Sequence, residues 1–368
     1  MHIRQSRRQI LAQAVLGGVA TLGADVGPGA TGAATQTPQQ HLVAMINGFR
    51  LSQMIHVAAR LGVADQLASG PKTVDQLAAA TKTHADSLYR LLRALAGWGV
   101  FAEEDGLRFR LTPAAEFLRS STPDSLRALA LTAGEEWMWL PWGDLLHSIS
   151  TGQTAFNHLY GKNTFDWLKE HPDAERIYND YQAQMTTRTS EAVAAAYDFS
   201  AARTIVDVGG GTGAMLTAVL HRNPAVRGVL FDLEQVVGSA KTQLEPAVAR
   251  RCDFVGGDFF KAVPGGGDLY VLKNILHDWD VDRCSKILVN CRLAMGRRGK
   301  LLVVEEIICG PNEPCYAKEA DVLMLVRTGG RNRTKKEYDD LLAAGGFRAT
   351  QVFPSHGGPS IIEAIPVG

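Results

Sequence analysis

The stretch TIVDVGGGTGAML, Thr204–Leu216, decides how the C-terminal half of this chain folds. An apolar strand carries Asp207 near its end, the glycines Gly209, Gly210, Gly211 and Gly213 form a turn, and a helical pattern follows. Glycine has no Cβ and tolerates positive φ, so such a strand-to-helix turn lets the backbone pass close to a ligand. A nucleotide is implied. The turn alone does not say which one, because Gly209, Gly211 and Ala214 also satisfy the G-x-G-x-x-A dinucleotide fingerprint.

Toward the C-terminus the texture alternates strand and helix: GVLFDL, CDFVGGDFF, DLYVL, KLLVVEEI and a final strand pair in RATQVFPSHGGPSIIEAIPVG. That is a doubly wound α/β domain over 201–368. Asp232 ends the second strand, where a carboxylate can accept both hydroxyls of a ribose. Asp258 and Phe259 follow the third, where an acid and an aromatic can hold the amino group and the face of an adenine. The last hairpin sets an antiparallel strand at one side of the sheet, whereas the dinucleotide fold is usually parallel throughout. S-adenosylmethionine fits these features better than NAD.

In LKNILHDWD, Leu272–Asp280, the residue His277 falls just beyond the carboxyl end of the fourth strand, the edge where open α/β sheets bind ligands. A neutral imidazole, with an ordinary pKa of about 6.5, can take the proton from a phenol of pKa about 10 as it attacks. The plainer reading is a histidine satisfied at a helix start. Asp280 precedes the helical run VDRCSKILVNCRLAM and reads as its N-cap. A metal site from His277, Asp278 and Asp280 would draw every ligand from one short segment, and none is expected.

Toward the N-terminus, residues 123–200 read as a helical region, with Trp137, Trp139, Phe156 and Phe165 as core or as the wall of a pocket. Residues 38–122 read as amphipathic helices, with Leu42, Met45, Ile46, Ile55, Ala58 and Leu61 at helical spacing, then as a winged helix whose wing turns at Glu104-Asp105-Gly106. Acids and bases nearly balance across that winged helix, whereas phosphate binding needs a basic surplus on one face. Subunit packing suits it better than DNA.

The whole chain of 368 residues has 38 acidic and 38 basic side chains, so no strong attraction to nucleic acid or anionic lipid is expected. The five cysteines include no CxxC pair and are expected as reduced thiols of a cytoplasmic protein. Arg7 and Arg8 stand before a weakly apolar stretch, which reads either as a twin-arginine export signal within residues 1–36 or as a disordered extension.

VDVGGGTG, FDL, GDFF, LKNILHDWD, VVEE and TGGRNRT, in this order, resemble the small-molecule O-methyltransferase family of plant caffeate-type and bacterial polyketide and mitomycin-type enzymes, over residues 38–368. The resemblance implies a Rossmann-like methyltransferase domain that binds S-adenosylmethionine, preceded by a winged-helix-like domain that builds a homodimer. It implies donor contacts at Gly209, Asp232, Asp258, Phe259 and Lys273, with Asp207 and Gly211 in the same site. His277 takes the role of base, Glu305 orients its ring, and Met185 and Met324 flank a flat substrate. Where the family writes GG-x-ERT this chain has Asn332 in place of the glutamate, which removes a charge from the base's surroundings. The implied activity is methylation of a phenolic hydroxyl on an aromatic or polyketide-like molecule; hydroxylation or decarboxylation by a diverged relative, and a ligand-responsive winged-helix regulator, are the rivals.

Overall fold

The computed structural model describes residues 37–122 and 124–367; the twin-arginine stretch lies outside the described residues. Two compact units result, one running to Leu140 with Asp173–Tyr181, the other Pro141–Pro172 with Gln182 onward. The helical region read as 123–200 is thus divided between them.

The second unit is built on seven strands: β1 Thr204–Val208, β2 Arg227–Asp232, β3 Cys252–Gly256, β4 Leu269–Lys273, β5 Lys300–Glu305, β6 Phe347–Phe353 and β7 Ser360–Pro366. Their spatial order is β6-β7-β5-β4-β1-β2-β3. The first five are mutually parallel, while β7 runs antiparallel to β5 and β6 antiparallel to β7, as the terminal hairpin predicts. Strand order reverses between β1 and β4, and at such a switch point the carboxyl ends diverge to leave a crevice. The glycine turn after β1 and the histidine segment after β4 therefore share one edge.

Leu269–Leu272 and Leu301–Val304 are buried along their whole length, the pattern of parallel strands covered on both faces. Helix Val281–Met295 turns Cys284, Ile287, Leu288, Cys291 and Met295 into that core at helical spacing. The expectation of five reduced thiols is corrected at one place. Cys309 and Cys315 form a disulfide, because the intervening GPNEP loop doubles back and brings their Cα atoms to 6.3 Å; a gap of six residues gave no such signal.

In the first unit, helices Val74–Thr81 and Ala85–Gly97 pack over a three-stranded sheet of Lys72–Thr73, Phe101–Glu104 and Arg108–Leu111. Leu77, Leu92, Leu95, Phe101 and Phe109 form its fully buried centre. The long helix Pro38–Arg60 divides: Ala58 is buried, but Leu42, Met45 and Ile46 are exposed rather than core. Among the described residues no helix is long and apolar enough to cross a membrane.

Candidate active site

The glycine turn is positioned by its own backbone. Gly209 sits at φ +74° and donates its N–H to the Phe231 carbonyl at 2.8 Å. A Cβ there would lie 2.5 Å from Ile275 Cδ1 and would carry the strain of that φ, so glycine is required. Gly211, at φ +56°, donates to Asp232 Oδ2 at 2.9 Å, and Leu233 donates to Oδ1 at 2.7 Å. Asp232 thus braces the turn with one lone pair of each oxygen and keeps others for a ligand.

Beneath the turn, Asp207 is fully buried and its Oδ2 has no hydrogen-bond partner among the described residues. Burial pushes its carboxyl up to about 7, against the opposing pull of the Lys273 ammonium, while burial lowers the Lys273 pKa. Asp258 Oδ1 caps its own loop through Phe260 N–H at 2.9 Å. The Phe259 carbonyl accepts from Asn290 at 2.7 Å, and its ring packs edge-on against Phe260. An unpartnered buried acid, acids at the ends of successive strands, and open space where Gly211 would carry a Cβ fit a nucleoside bearing a cationic group.

The histidine segment is held differently. After β4 the chain passes through Asn274 at φ +56° into a one-turn 3₁₀ helix, Leu276–Asp278. Glu305, wholly buried at the end of β5, accepts through Oε1 from the N–H groups of Ile275 at 3.0 Å, Leu276 at 2.8 Å and His277 at 3.3 Å. Its Oε2 lies 2.9 Å from His277 Nδ1. One carboxylate therefore caps the turn and orients the ring, leaving Nε2 3.5 Å from Asp278 Oδ1.

Burial of His277 works against the imidazolium, but the charge and hydrogen bond of Glu305 outweigh it and hold the pKa at about 9. The ordinary imidazole pKa expected from the sequence gives way to one raised by the Glu305 carboxylate. Asp280 is the N-cap that its position predicts, accepting from Arg283 N–H at 2.8 Å.

The TGGRNRT loop meets the same turn from its carbonyl side. Arg331 N–H donates to the His277 carbonyl at 2.7 Å. Arg333 donates from Nη1 to the Leu276 carbonyl at 2.8 Å and from Nη2 to the Trp279 carbonyl at 2.7 Å. Neither arginine was singled out from the sequence, since nothing local says that Arg333 is buried. Asn332 was singled out, and it is turned elsewhere. Its N–H donates to Asp321 Oδ1 at 2.8 Å and its Nδ2 to the Ala317 carbonyl at 3.4 Å, toward helix Tyr316–Arg327.

Met324 does join the site, because a Cβ on Gly330 would meet both its Cε, at 2.6 Å, and the His277 carbonyl, at 2.5 Å. Met185 is half-buried on helix Pro172–Ala196, and the hydrogen-bond network around His277 does not reach it. Trp137 and Phe156 are core residues, Trp139 is half-buried and Phe165 is half exposed.

Asp144, His147 and His158 form a second cluster. His158 Nδ1 is 2.7 Å from Asp144 Oδ2, and the His147 and His158 rings stack 3.8 Å apart and 5° from parallel. Coordinating lone pairs lie in the ring plane, so two parallel rings do not converge on one ion. His158 is satisfied by Asp144 as it stands.

Comparison with known proteins places the chain among relatives. Residues 142–348 match the O-methyltransferase domain and residues 43–121 the O-methyltransferase dimerisation domain. A phenazine O-methyltransferase of Lysobacter antibioticus is 45% identical, over 89% of this chain and 96% of its own length. A solved methyltransferase of calicheamicin biosynthesis, with S-adenosylhomocysteine bound, superposes at TM-score 0.82 with 34% identity, covering 90% of this chain and 100% of that one. An O-methyltransferase of neocarzinostatin biosynthesis, in complex with S-adenosylmethionine and 2-hydroxy-5-methyl naphthoic acid, does so at 0.72 with 32% identity, covering 86% and 96%.

Proposed function

This chain belongs to the S-adenosylmethionine-dependent O-methyltransferase family, and from that premise we propose that it methylates a phenolic hydroxyl of an aromatic or polyketide-like small molecule, with His277 as general base. The observation that carries the reading is the Glu305 carboxylate, which holds the histidine turn and Nδ1 together and leaves Nε2, 3.5 Å from Asp278 Oδ1, as the nitrogen that can meet a hydroxyl. An aromatic acceptor is supported by the phenazine methyltransferase, 45% identical, and by the relative bound to a hydroxynaphthoic acid.

The donor, when bound, supplies an electrophilic methyl on a sulfonium. Gly209, Gly211, Asp207, Asp232, Asp258, Phe259 and Lys273 would hold it against the carboxyl ends of β1 to β4. Most of the rate enhancement then lies in aligning the hydroxyl oxygen behind that methyl. His277 removes the hydroxyl proton. Its raised pKa has two consequences of opposite sign: the ring is a stronger acceptor for a phenol's proton, but only about 3% of it is unprotonated at pH 7.5 if the pKa is about 9. Neutral imidazole with phenol and imidazolium with phenolate carry the same protons and lead to the same reactive pair. Because the free enzyme's pKa governs kcat/KM, kcat/KM should rise with pH up to about 9.

A panel of phenols with labelled methyl donor tests the acceptor class, and His277→Ala tests the base. We expect the variant to bind S-adenosylmethionine by calorimetry as the parent does and to lose about 10²- to 10⁴-fold in turnover. Unchanged turnover on a true substrate would rule out His277 as the base.

The same reading extends to assembly as a homodimer. Leu42, Met45, Ile46 and Phe49 form an exposed apolar face on helix Pro38–Arg60, largely within the segment matching the dimerisation domain. Ile46→Glu with Phe49→Glu should shift sedimentation from dimer toward monomer. No nucleic acid is expected on the winged helix, and a salt-sensitive gel shift with duplex DNA would contradict this.

A further inference from the structure

The histidine turn is gripped from both sides, and only one side has been given a role. Glu305 collects three N–H groups at its start, and Arg333 meets its carbonyls. Both grips hang from one frame: Arg333–Thr334 pairs in parallel with Ile307–Ile308, two residues beyond Glu305. Arg333 is buried, and its guanidinium donates to carbonyls rather than to a carboxylate. Taking such a cation out of water is costly unless its donors are satisfied, and leaving two turn carbonyls unpaired would be costly in turn.

We propose that Arg333 is a positioning residue for His277: it clamps the carbonyl side of the turn whose N–H side Glu305 holds, and its charge opposes that of Glu305 at the ring. The proposal rests on the reading of His277 as base. Arg333 makes bidentate contact with Leu276 and Trp279, the residues that bracket His277 and Asp278. The planar fork spans both carbonyls in a way that a lysine ammonium cannot. The Cys284 thiol also lies against these two carbonyls, at 3.2 and 3.4 Å, and adds no charge to them.

Electrostatically the ring faces Glu305 and Glu306 from the end of β5, Asp278 on its own turn, Lys273 through Glu305 and Glu306, and Arg333 from the loop. Arg327 acts on Asp278. Arg333 lowers the His277 pKa, whereas Glu305 and Asp278 raise it. The clamp thus limits how far Glu305 can lock the base in its protonated form.

Two substitutions separate geometry from charge. Arg333→Lys keeps the charge and loses the fork, so kcat should fall about 10- to 100-fold with the KM for S-adenosylmethionine within about twofold and the ascending limb of the pH profile in place. Arg333→Gln loses both, so the fall should come with a limb displaced to higher pH and a His277 ¹³C resonance that titrates at higher pH. Gly330→Ala presses a methyl onto the His277 carbonyl and onto Met324 Cε without touching Arg333 and should lower kcat in the same way, by more than Met324→Ala does, even if the arginine variants do not fold. Parental kcat in Arg333→Lys or Gly330→Ala, or an unmoved His277 titration in Arg333→Gln, overturns the proposal. Full turnover in His277→Ala is a different failure: it removes the base, and the His277 titration in Arg333→Gln still reports on the clamp.

Discussion

The glycine turn after β1 and the histidine turn after β4 sit on one sheet edge but are stabilised in opposite ways. The first is shaped by contiguous glycines and braced by β2 through the Phe231 carbonyl and Asp232, and beneath it Asp207 is left with an unpartnered oxygen and a carboxyl raised to about 7. The second draws on β5 and the loop that carries Arg333: Glu305 Oε1 and the Arg333 fork are hydrogen-bonded to the backbone of the turn, and Glu305 Oε2 is ion-paired with His277 Nδ1. Asp207 keeps an unmatched oxygen for a cationic ligand, whereas the carboxylate of Glu305 is committed to one imidazole and to the backbone of its turn.

The largest break in this contrast should come from Glu305→Gln. An amide oxygen can still cap the turn, but the charge that offsets burial is gone. The His277 pKa should drop below about 9, the pH–rate limb should move to lower pH, and kcat should fall about 10²-fold or more. A limb that stays in place would mean that Glu305 is not what raises the pKa. The sign for stability follows from linkage. With a folded pKa of about 9 against about 6.5 unfolded, the pair stabilises fully below about pH 6.5 and loses its contribution as pH rises through 9. Denaturant midpoints of the parent should decline over that window more steeply than those of Glu305→Gln.

On the glycine side, Gly209→Ala should weaken S-adenosylmethionine binding by about tenfold or more by calorimetry, because the methyl meets Ile275 and the φ is unfavourable. The pH limb should not move, since no charge near His277 changes. The smallest effect on turnover belongs to Asn332→Glu. Its amide donates to the Ala317 carbonyl, which a carboxylate cannot do, so Tm should fall by a few degrees at a cost of about 1–3 kcal/mol while kcat stays within about threefold. A tenfold gain in kcat would show that this side chain reaches the ring after all.

Legibility from sequence followed the same division. The places of Gly209, Gly211, Asp232, Asp258 and Phe259 at or just beyond the ends of strands were legible because local chemistry fixes them. Glu305 and His277 could be found through family motifs, and Asp280 through capping alone. Arg333 was missed beside Asn332 in one loop, since burial and the direction of a side chain arise from packing between segments far apart in the chain. For the same reason Leu42, Met45 and Ile46 share the helical spacing of Ala58 and still lie exposed.

What the sequence by itself determined is the alternation of strands and helices, the glycine turn, the antiparallel ending and the methyl-donor chemistry, all written in residues close together along the chain. Only the tertiary structure decided that Glu305 raises the His277 pKa, that Asn332 faces Ala317, that Cys309 meets Cys315, and that Arg333 closes the turn. Each depends on which charges and carbonyls are brought within a few ångströms and cut off from water. Periodicity and motif spacing do not encode that.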